Sequence, residues 1–127
     1  MSSPMQLTLK NLKKAGFGTW IAEWYDARLG IKHDLFTFAD IVAYHPDGAR
    51  RGIWFVQVTS RSNHSARVKK ILASEHARGL LEAGARIAVI SWSKKDERWV
   101  DYTEEISVGH FPDKKKDQTL EEFLEIV

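Results

Sequence analysis

Hydrophobic residues recur along this chain with two spacings, which predict helices and strands in alternation. Leucines separated by lysines predict a first helix from Pro4 to Ala15, with its lysines facing outward and Gly16 marking its end. Aromatic residues then favour a strand from Phe17 to Tyr25. Because Ala22 and Glu23 have no preference for strands, a helix is the alternative for that segment.

Two runs of β-branched and aromatic residues follow, from Phe36 to Tyr44 and from Ile53 to Thr59. Each run predicts a strand. The residues between them include Pro46-Asp47-Gly48, which is a turn sequence. The sequence therefore predicts a β-hairpin in which the two strands lie side by side.

After Ser60 the apolar residues are spaced as in a helix, and Ser62 or Asn63 is the expected N-cap. A second helical stretch, Ser74 to Ala83, ends at Gly84, and a buried strand is predicted from Arg86 to Trp92. A strand, a helical segment and another strand in this order predict a right-handed crossover between parallel strands. The run from Trp99 to Thr103 then predicts an edge strand.

This order of elements predicts an α/β fold with a central mixed β-sheet flanked by helices. A chain of 127 residues suits one domain, which we expect to span residues 1–110. Residues 111–127 are expected to form a charged linker and a C-terminal helix that packs on the same domain. The capping-box sequence from Thr119 to Glu122 opens that helix.

Composition excludes several classes of site. The chain has no cysteine, so disulfides and thiolate metal ligands are ruled out, and hard cations are favoured. No signal peptide or apolar run of about 20 residues is present, so we expect a cytoplasmic protein without a membrane span. Net charge is only +2, but basic residues gather in the middle of the chain. These residues are Arg50, Arg51, Arg61, Arg67, Lys69 and Lys70. They indicate either a polyanionic partner or a basic face exposed to solvent.

One carboxylate stands out from its surroundings. Asp40 lies in an apolar run, where a charge is unfavourable unless it is paired or binds a cation. Gln57 lies in the next predicted strand, and the hairpin brings the two residues together. With the carbonyl of Val58 they predict an oxygen-only site for Mg²⁺ or Mn²⁺.

This arrangement resembles the core of the PD-(D/E)XK nucleases, in which an Asp strand is followed by a strand bearing acid-x-Lys, a helix and another strand. The resemblance covers roughly Phe17 to Trp92. It implies a restriction-endonuclease-like three-layer fold and metal-dependent cleavage of DNA. More narrowly, the chain resembles a group of small phage and prophage proteins assigned to that superfamily, through residues Asp34–Asp40, Gln57–Ser60, Asn63–Arg67 and Lys70.

The motif departs from the family at two positions. Gln57 stands where the family has an acid, and Thr59 stands where it has a lysine. An amide oxygen can bind Mg²⁺ but brings no charge, so another carboxylate is needed, with Glu23 and Asp34 as candidates. The alternative roles are an outward edge position for Glu23 and a cap or turn for Asp34.

Lys70 is the candidate to replace the missing lysine, because it lies about two turns into the helix and its long side chain can reach back over the strand ends. A phosphate-binding or solvated lysine is the alternative. The start of this helix is expected to contact the DNA backbone, since helix N-terminal amides attract phosphate. The residues assigned to that contact are Ser60, Arg61, Asn63, Arg67 and Lys69.

Histidines and tryptophans suggest little further chemistry. The five histidines show no His-x-x-x-His pair for zinc, and His64 is expected on the surface at a helix start. The five tryptophans are expected mainly in the core, with Trp24 as an exception open to base stacking.

The resemblance implies a metal-dependent endonuclease that acts on DNA. It also implies selectivity for DNA structure, including branched DNA, as in Holliday-junction resolvases. Such enzymes act as dimers, so we expect a homodimer. A second hypothesis is an inactive nucleic-acid-binding module that keeps the fold but has lost the acid and the lysine of the family's active site. A third is a phage protein that binds a host factor through its acidic C-terminal helix.

Overall fold

The computed structural model describes residues 3–111, which form an α/β fold with a five-stranded mixed sheet. The helices are α1 (Pro4–Lys14), α2 (His64–Leu72) and α3 (Glu75–Glu82). The main sheet consists of β1 (Gly18–Ile21), β4 (Ile41–His45), β5 (Gly52–Ser60), β6 (Arg86–Lys95) and β7 (Arg98–Ile106). A separate two-stranded hairpin consists of β2 (Trp24–Asp26) and β3 (Ile31–His33).

The strand order in the main sheet is β1-β4-β5-β6-β7. Only β5 and β6 are parallel, and α2 and α3 connect them; the other neighbours are antiparallel. The predicted β4–β5 hairpin and the parallel crossover are therefore confirmed. The predicted edge strand is also confirmed, since β7 pairs only with β6 within the described sheet.

The sheet lies between two helical layers. Along β6, Ile87 and Val89 pack against the layer of α2 and α3, whereas Ala88 and Ile90 pack against α1. This alternation follows from the two-residue period of a strand, and it explains why Ile87–Ile90 are all apolar: both faces of β6 are buried there.

Two predicted strands are shorter than expected. The segment 17–25 divides at Ala22, because the amides of Ala22 and Glu23 both donate to the carbonyl of Asp40, at 2.8 and 3.3 Å, and the chain then leaves the sheet. The segment 36–44 becomes a strand only at Ile41. Phe36 and Thr37 have φ of 53° and 70° and make a tight turn, so Asp40 lies just before β4 rather than inside it.

Local sequence signals explain the helix ends. Ser3 and Gln6 form a capping box on α1, and the hydroxyl of Ser74 caps α3. Gly84 has φ of 98° and ends the segment after α3, as predicted. Phe111 is buried in the core beside α3, while the predicted C-terminal helix falls within residues 112–127, outside the described part. Within residues 3–111, none of the helices has the length and apolar character needed to span a membrane.

Candidate metal centre

Three acidic side chains converge at one end of the β4–β5 hairpin. Glu23 lies in the link from β1 to β2, Asp34 directly follows β3, and Asp40 directly precedes β4. Each contributes an oxygen to a group within 4.8 Å of one another, which we call the carboxylate cluster. This cluster can hold a metal ion.

Asp40 is the most constrained member of the cluster, since it is only 1% exposed. Its Oδ2 accepts hydrogen bonds from the backbone N–H of Val58 and from Nε2 of Gln57, both at 2.8 Å. Its Oδ1 has no hydrogen-bond partner and lies 3.7 Å from Nζ of Lys32. One oxygen is thus fixed by β5, and the other is left for a cation.

The electrostatic surroundings of Asp40 disfavour its charge. Burial raises the pKa of Asp40 from 3.8 to about 7, and the negative charge of Asp34 adds to the rise. The hydrogen bond from Val58 opposes both effects. At neutral pH this carboxyl group is therefore poised between its two protonation states, and a bound cation would favour the charged one.

Lys32, on β3, brings a positive charge to the carboxylate cluster. Its Nζ lies 2.9 Å from Oε2 of Glu23, 3.8 Å from Oδ1 of Asp34 and 3.7 Å from Oδ1 of Asp40. The hydrogen bond to Glu23 raises the pKa of Lys32, and the charges of Asp40 and Asp34 act in the same direction. The ammonium group therefore lies where the carboxylates converge, close to the position that a divalent cation would take.

Gln57 positions Asp40 in this arrangement. Its side chain is only 2% exposed, and Nε2 donates to Asp40 and, at 3.3 Å, to the carbonyl of Val58. Its Oε1 is buried without a hydrogen-bond partner. A buried amide oxygen without a partner is unfavourable and available to a ligand, so the predicted ligand role of Gln57 and of the Val58 carbonyl stays a prediction.

The donor set suits a hard cation. Oε1 of Gln57 is buried without a hydrogen-bond partner, and the buried oxygens of Glu23, Asp34 and Asp40 share the single ammonium of Lys32. Oxygen ligands of this kind are those that Mg²⁺ and Mn²⁺ prefer. Asp34 therefore has its side chain in the cluster rather than serving only as a turn residue.

The basic residues of α2 and of the turn before it divide between the two flanks of the helix. Arg61 and Lys69 line a groove of about 320 Å³ with Tyr102 and Glu104 of β7, and the Arg61 guanidinium lies 4.2 Å above the Tyr102 ring. Successive helical residues are about 100° apart, so Arg67 and Lys70 lie on the flank away from β7. No ion pair joins Lys70 to the carboxylate cluster within residues 3–111.

The remaining residues at the start of α2 differ in their contacts. Ser60 and Ser62 share a hydrogen bond at 3.2 Å, and Asn63 is the helix cap residue but makes no side-chain capping bond. The amides at the start of α2 are therefore not capped by that side chain. The assignment of Ser60, Asn63, Arg67, Lys69 and Arg61 to nucleic-acid contact stays a prediction.

His64 is buried, contrary to the expectation of a surface residue, and is only 3% exposed. Its Nδ1 lies 2.8 Å from Oγ of Ser91, and its Nε2 lies 2.9 Å from Oε1 of Glu104. Ser91 is fully buried and so is inaccessible to a substrate. The network ties α2 to β6 and β7, which is a structural role.

Sequence reasoning missed Lys32 and the hairpin that carries it. The available signal was the turn Asp26-Ala-Arg-Leu-Gly30, in which Gly30 has φ of 66° and the Asp26 carboxylate accepts from the amides of Arg28 and Leu29. Such a turn between Trp24-Tyr25 and Ile31 is typical of a hairpin.

Comparisons of this chain with protein-family models, with curated proteins and with solved structures found no match.

The raised pKa of Asp40 predicts a pH-dependent stability. Between 3.8 and about 7 the folded protein holds a proton that the unfolded chain has released. The stability of the metal-free protein therefore falls as pH rises through this window and levels off above it, by about 1 kcal/mol between about pH 6 and about pH 8. Urea unfolding at a series of pH values measures this change, and Asp40→Asn should remove it. An equal slope in both proteins would contradict the prediction.

Proposed function

We propose that this protein is a divalent-metal-dependent endonuclease that hydrolyses phosphodiester bonds in DNA. The observation that carries the proposal is the buried Asp40, whose Oδ2 is fixed by Val58 and Gln57. Its Oδ1 has no hydrogen-bond partner and lies in the cluster with Glu23, Asp34 and the ammonium of Lys32. A carboxylate held in this way, with its pKa near neutrality, is suited to bind a cation.

The order of elements around the site supports a restriction-endonuclease-like core of the PD-(D/E)XK type. Asp40 directly precedes β4, Gln57 lies on the antiparallel neighbour β5, and β6 runs parallel to β5 after a helical crossover. This is the succession that the sequence resemblance implies, and it places the two motif positions in hydrogen-bond contact.

Each residue then has a role in the proposed reaction. Glu23, Asp34 and Asp40 would hold Mg²⁺ or Mn²⁺, which supplies positive charge to the phosphate as negative charge develops there. Val58 and Gln57 keep Asp40 in its orientation. Lys32 would leave the carboxylates when the cation binds, and its ammonium would then be close enough to pair with the substrate phosphate.

A nucleic-acid-binding module without cleavage is the second candidate. It is favoured by one observation, since Lys32 already neutralises part of the cluster charge and Gln57 adds none. In that case the cluster would be a structural ion network, and the basic residues of α2 would hold the nucleic acid.

A cleavage assay separates these functions. Supercoiled, linear and four-way-junction DNA are incubated with the protein in Mg²⁺, in Mn²⁺ and in chelator, while Mn²⁺ binding is measured by calorimetry. Metal-dependent nicking supports the endonuclease, and binding of DNA without nicking supports the module. If the protein neither nicks DNA nor binds Mn²⁺, the proposed function fails. Light scattering on the same samples tests the predicted homodimer.

Lys32→Met predicts opposite effects on metal binding and on cleavage. Methionine keeps an unbranched side chain but removes the ammonium that competes with the cation, so we expect Mn²⁺ affinity to rise about tenfold. Cleavage should fall about tenfold or more, because a cation near the phosphate is lost. Calorimetry and nicking rates measure the two effects, with Lys14→Met on the exposed end of α1 as control. Unchanged Mn²⁺ affinity would show that Lys32 does not compete for the cation position.

A further inference from the structure

The β2–β3 hairpin exposes an unusual amount of apolar and aromatic surface. Trp24 is 56% exposed and Tyr25 is 65% exposed, and the nearby Leu29 and Ile31 are also exposed. Successive strand residues point to opposite faces, so exposure of both rings means that both faces of the hairpin are open to solvent. Apolar surface of this kind marks a binding site more often than a structural element.

The hairpin is joined to the carboxylate cluster on both of its strands. Glu23 directly precedes Trp24, while Lys32 and Asp34 flank His33. The rings of Trp24 and His33 are stacked with centroids 4.2 Å apart and an angle of 15° between the planes. On the other face Tyr25 pairs with Lys32, whose Nζ reaches the cluster. Tyr25 therefore lies on the face of the hairpin that carries Lys32, and the Trp24–His33 stack lies on the opposite face, next in sequence to Glu23 and Asp34.

We propose that this hairpin stacks against unpaired bases of the nucleic acid whose phosphate lies at the carboxylate cluster. The substrate class is then single-stranded DNA or DNA with unpaired bases, rather than intact duplex. This inference rests on the proposed function and specifies its substrate. Stacking of a base on an aromatic side chain is sequence-tolerant and strong, but the base must first leave its own stack.

The charges of the hairpin and of the carboxylate cluster determine whether nucleic acid can bind there. Arg28 in the turn is exposed and positively charged, whereas Lys32 is already paired with Glu23 and the Asp26 carboxylate accepts hydrogen bonds from turn amides. The three carboxylates of the cluster exceed the single charge of Lys32 and repel phosphate until a divalent cation binds. Binding of nucleic acid should therefore require a divalent cation even when no bond is cut.

The test is a binding measurement that does not depend on cleavage. Fluorescence anisotropy is recorded in Ca²⁺ with a labelled single strand of about a dozen nucleotides, with its duplex and with the duplex carrying a bulge. Wild type should bind the single strand and the bulge at least about tenfold more tightly than the duplex, and Trp24→Ala and Tyr25→Ala should each weaken that binding about tenfold. Trp24→Phe should restore most of it.

Trp20→Ala is the matched control, because Trp20 is 76% exposed but lies on the edge strand β1 rather than on the hairpin. It should leave binding unchanged, and circular dichroism should show all variants folded. Equal affinity for duplex and single strand, or an equal loss with Trp20→Ala, would overturn the proposal even if wild type nicks DNA. A homodimer that Trp24→Ala dissociates, with DNA binding unchanged, would assign the surface to a second copy instead. If wild type shows the expected binding but does not nick DNA, the proposed function fails and the role of the hairpin in binding stands.

Discussion

Asp40→Asn should abolish metal-dependent cleavage while leaving the protein folded. The substitution removes the charge of the most buried member of the carboxylate cluster, and metal ions contribute several kcal/mol to stabilisation of transition-state charge. A loss on the order of a thousandfold in kcat/KM follows, with Mn²⁺ binding falling in parallel. Nicking rates and calorimetry measure the two losses.

The same substitution should not destabilise the metal-free protein. An asparagine oxygen can still accept the hydrogen bonds from Val58 and Gln57. The substitution also removes the negative charge of Asp40, which burial disfavours, as the raised pKa shows. We expect thermal stability at about pH 8 to be equal or higher by about 1 kcal/mol. Asp47→Asn in the exposed β4–β5 turn is the matched control and should change neither property. A destabilised, inactive Asp40→Asn protein would assign Asp40 a structural role.

Gln57→Glu should have the second-largest effect, with opposite signs in the absence and presence of metal. Nε2 of Gln57 lies 2.8 Å from Oδ2 of Asp40, so a glutamate there would bring two carboxylate oxygens into contact. Without a cation this repulsion should cost about 2 kcal/mol of stability. With Mn²⁺ the added charge should raise metal affinity at least about tenfold and increase the nicking rate.

Thermal melts with and without Mn²⁺ measure the Gln57→Glu effect, and Gln57→Leu is the control that removes the amide without adding charge. Gln57→Leu should lower stability in both conditions, because Oδ2 of Asp40 loses a donor. If Gln57→Glu gains nothing from Mn²⁺, the oxygen at position 57 does not contact the metal, and the resemblance to an acid-x-Lys strand would not extend to ligand function.

The main elements of the sheet could be predicted because their signals are local. The Pro46-Asp47-Gly48 turn between two apolar runs predicts the β4–β5 hairpin, and the helical segment before the apolar β6 predicts a parallel crossover. Asp40 and Gln57 could be singled out because polar residues are unusual in such runs. Both residues are buried and in contact, as the hairpin register requires.

The rest of the site depends on contacts that no local pattern encodes. β1 ends at Ile21 because the carbonyl of Asp40 accepts the amides of both Ala22 and Glu23. The turn at Phe36 and Thr37 requires positive φ at residues that rarely adopt it. These two features turn Glu23 and Asp34 toward Asp40 and bring Lys32 with them. Without the tertiary fold, Lys32 is one exposed lysine among many.

The carboxylate cluster also lies within one short stretch of chain, from Glu23 to Asp40, that contains the β2–β3 hairpin. The hairpin has little apolar core of its own, and two-stranded hairpins are marginally stable alone. A cation bound by residues at both ends of this stretch would hold the loop closed in the folded protein and would stabilise it by the free energy of metal binding. In a chain without cysteine, the metal would then act as a removable crosslink.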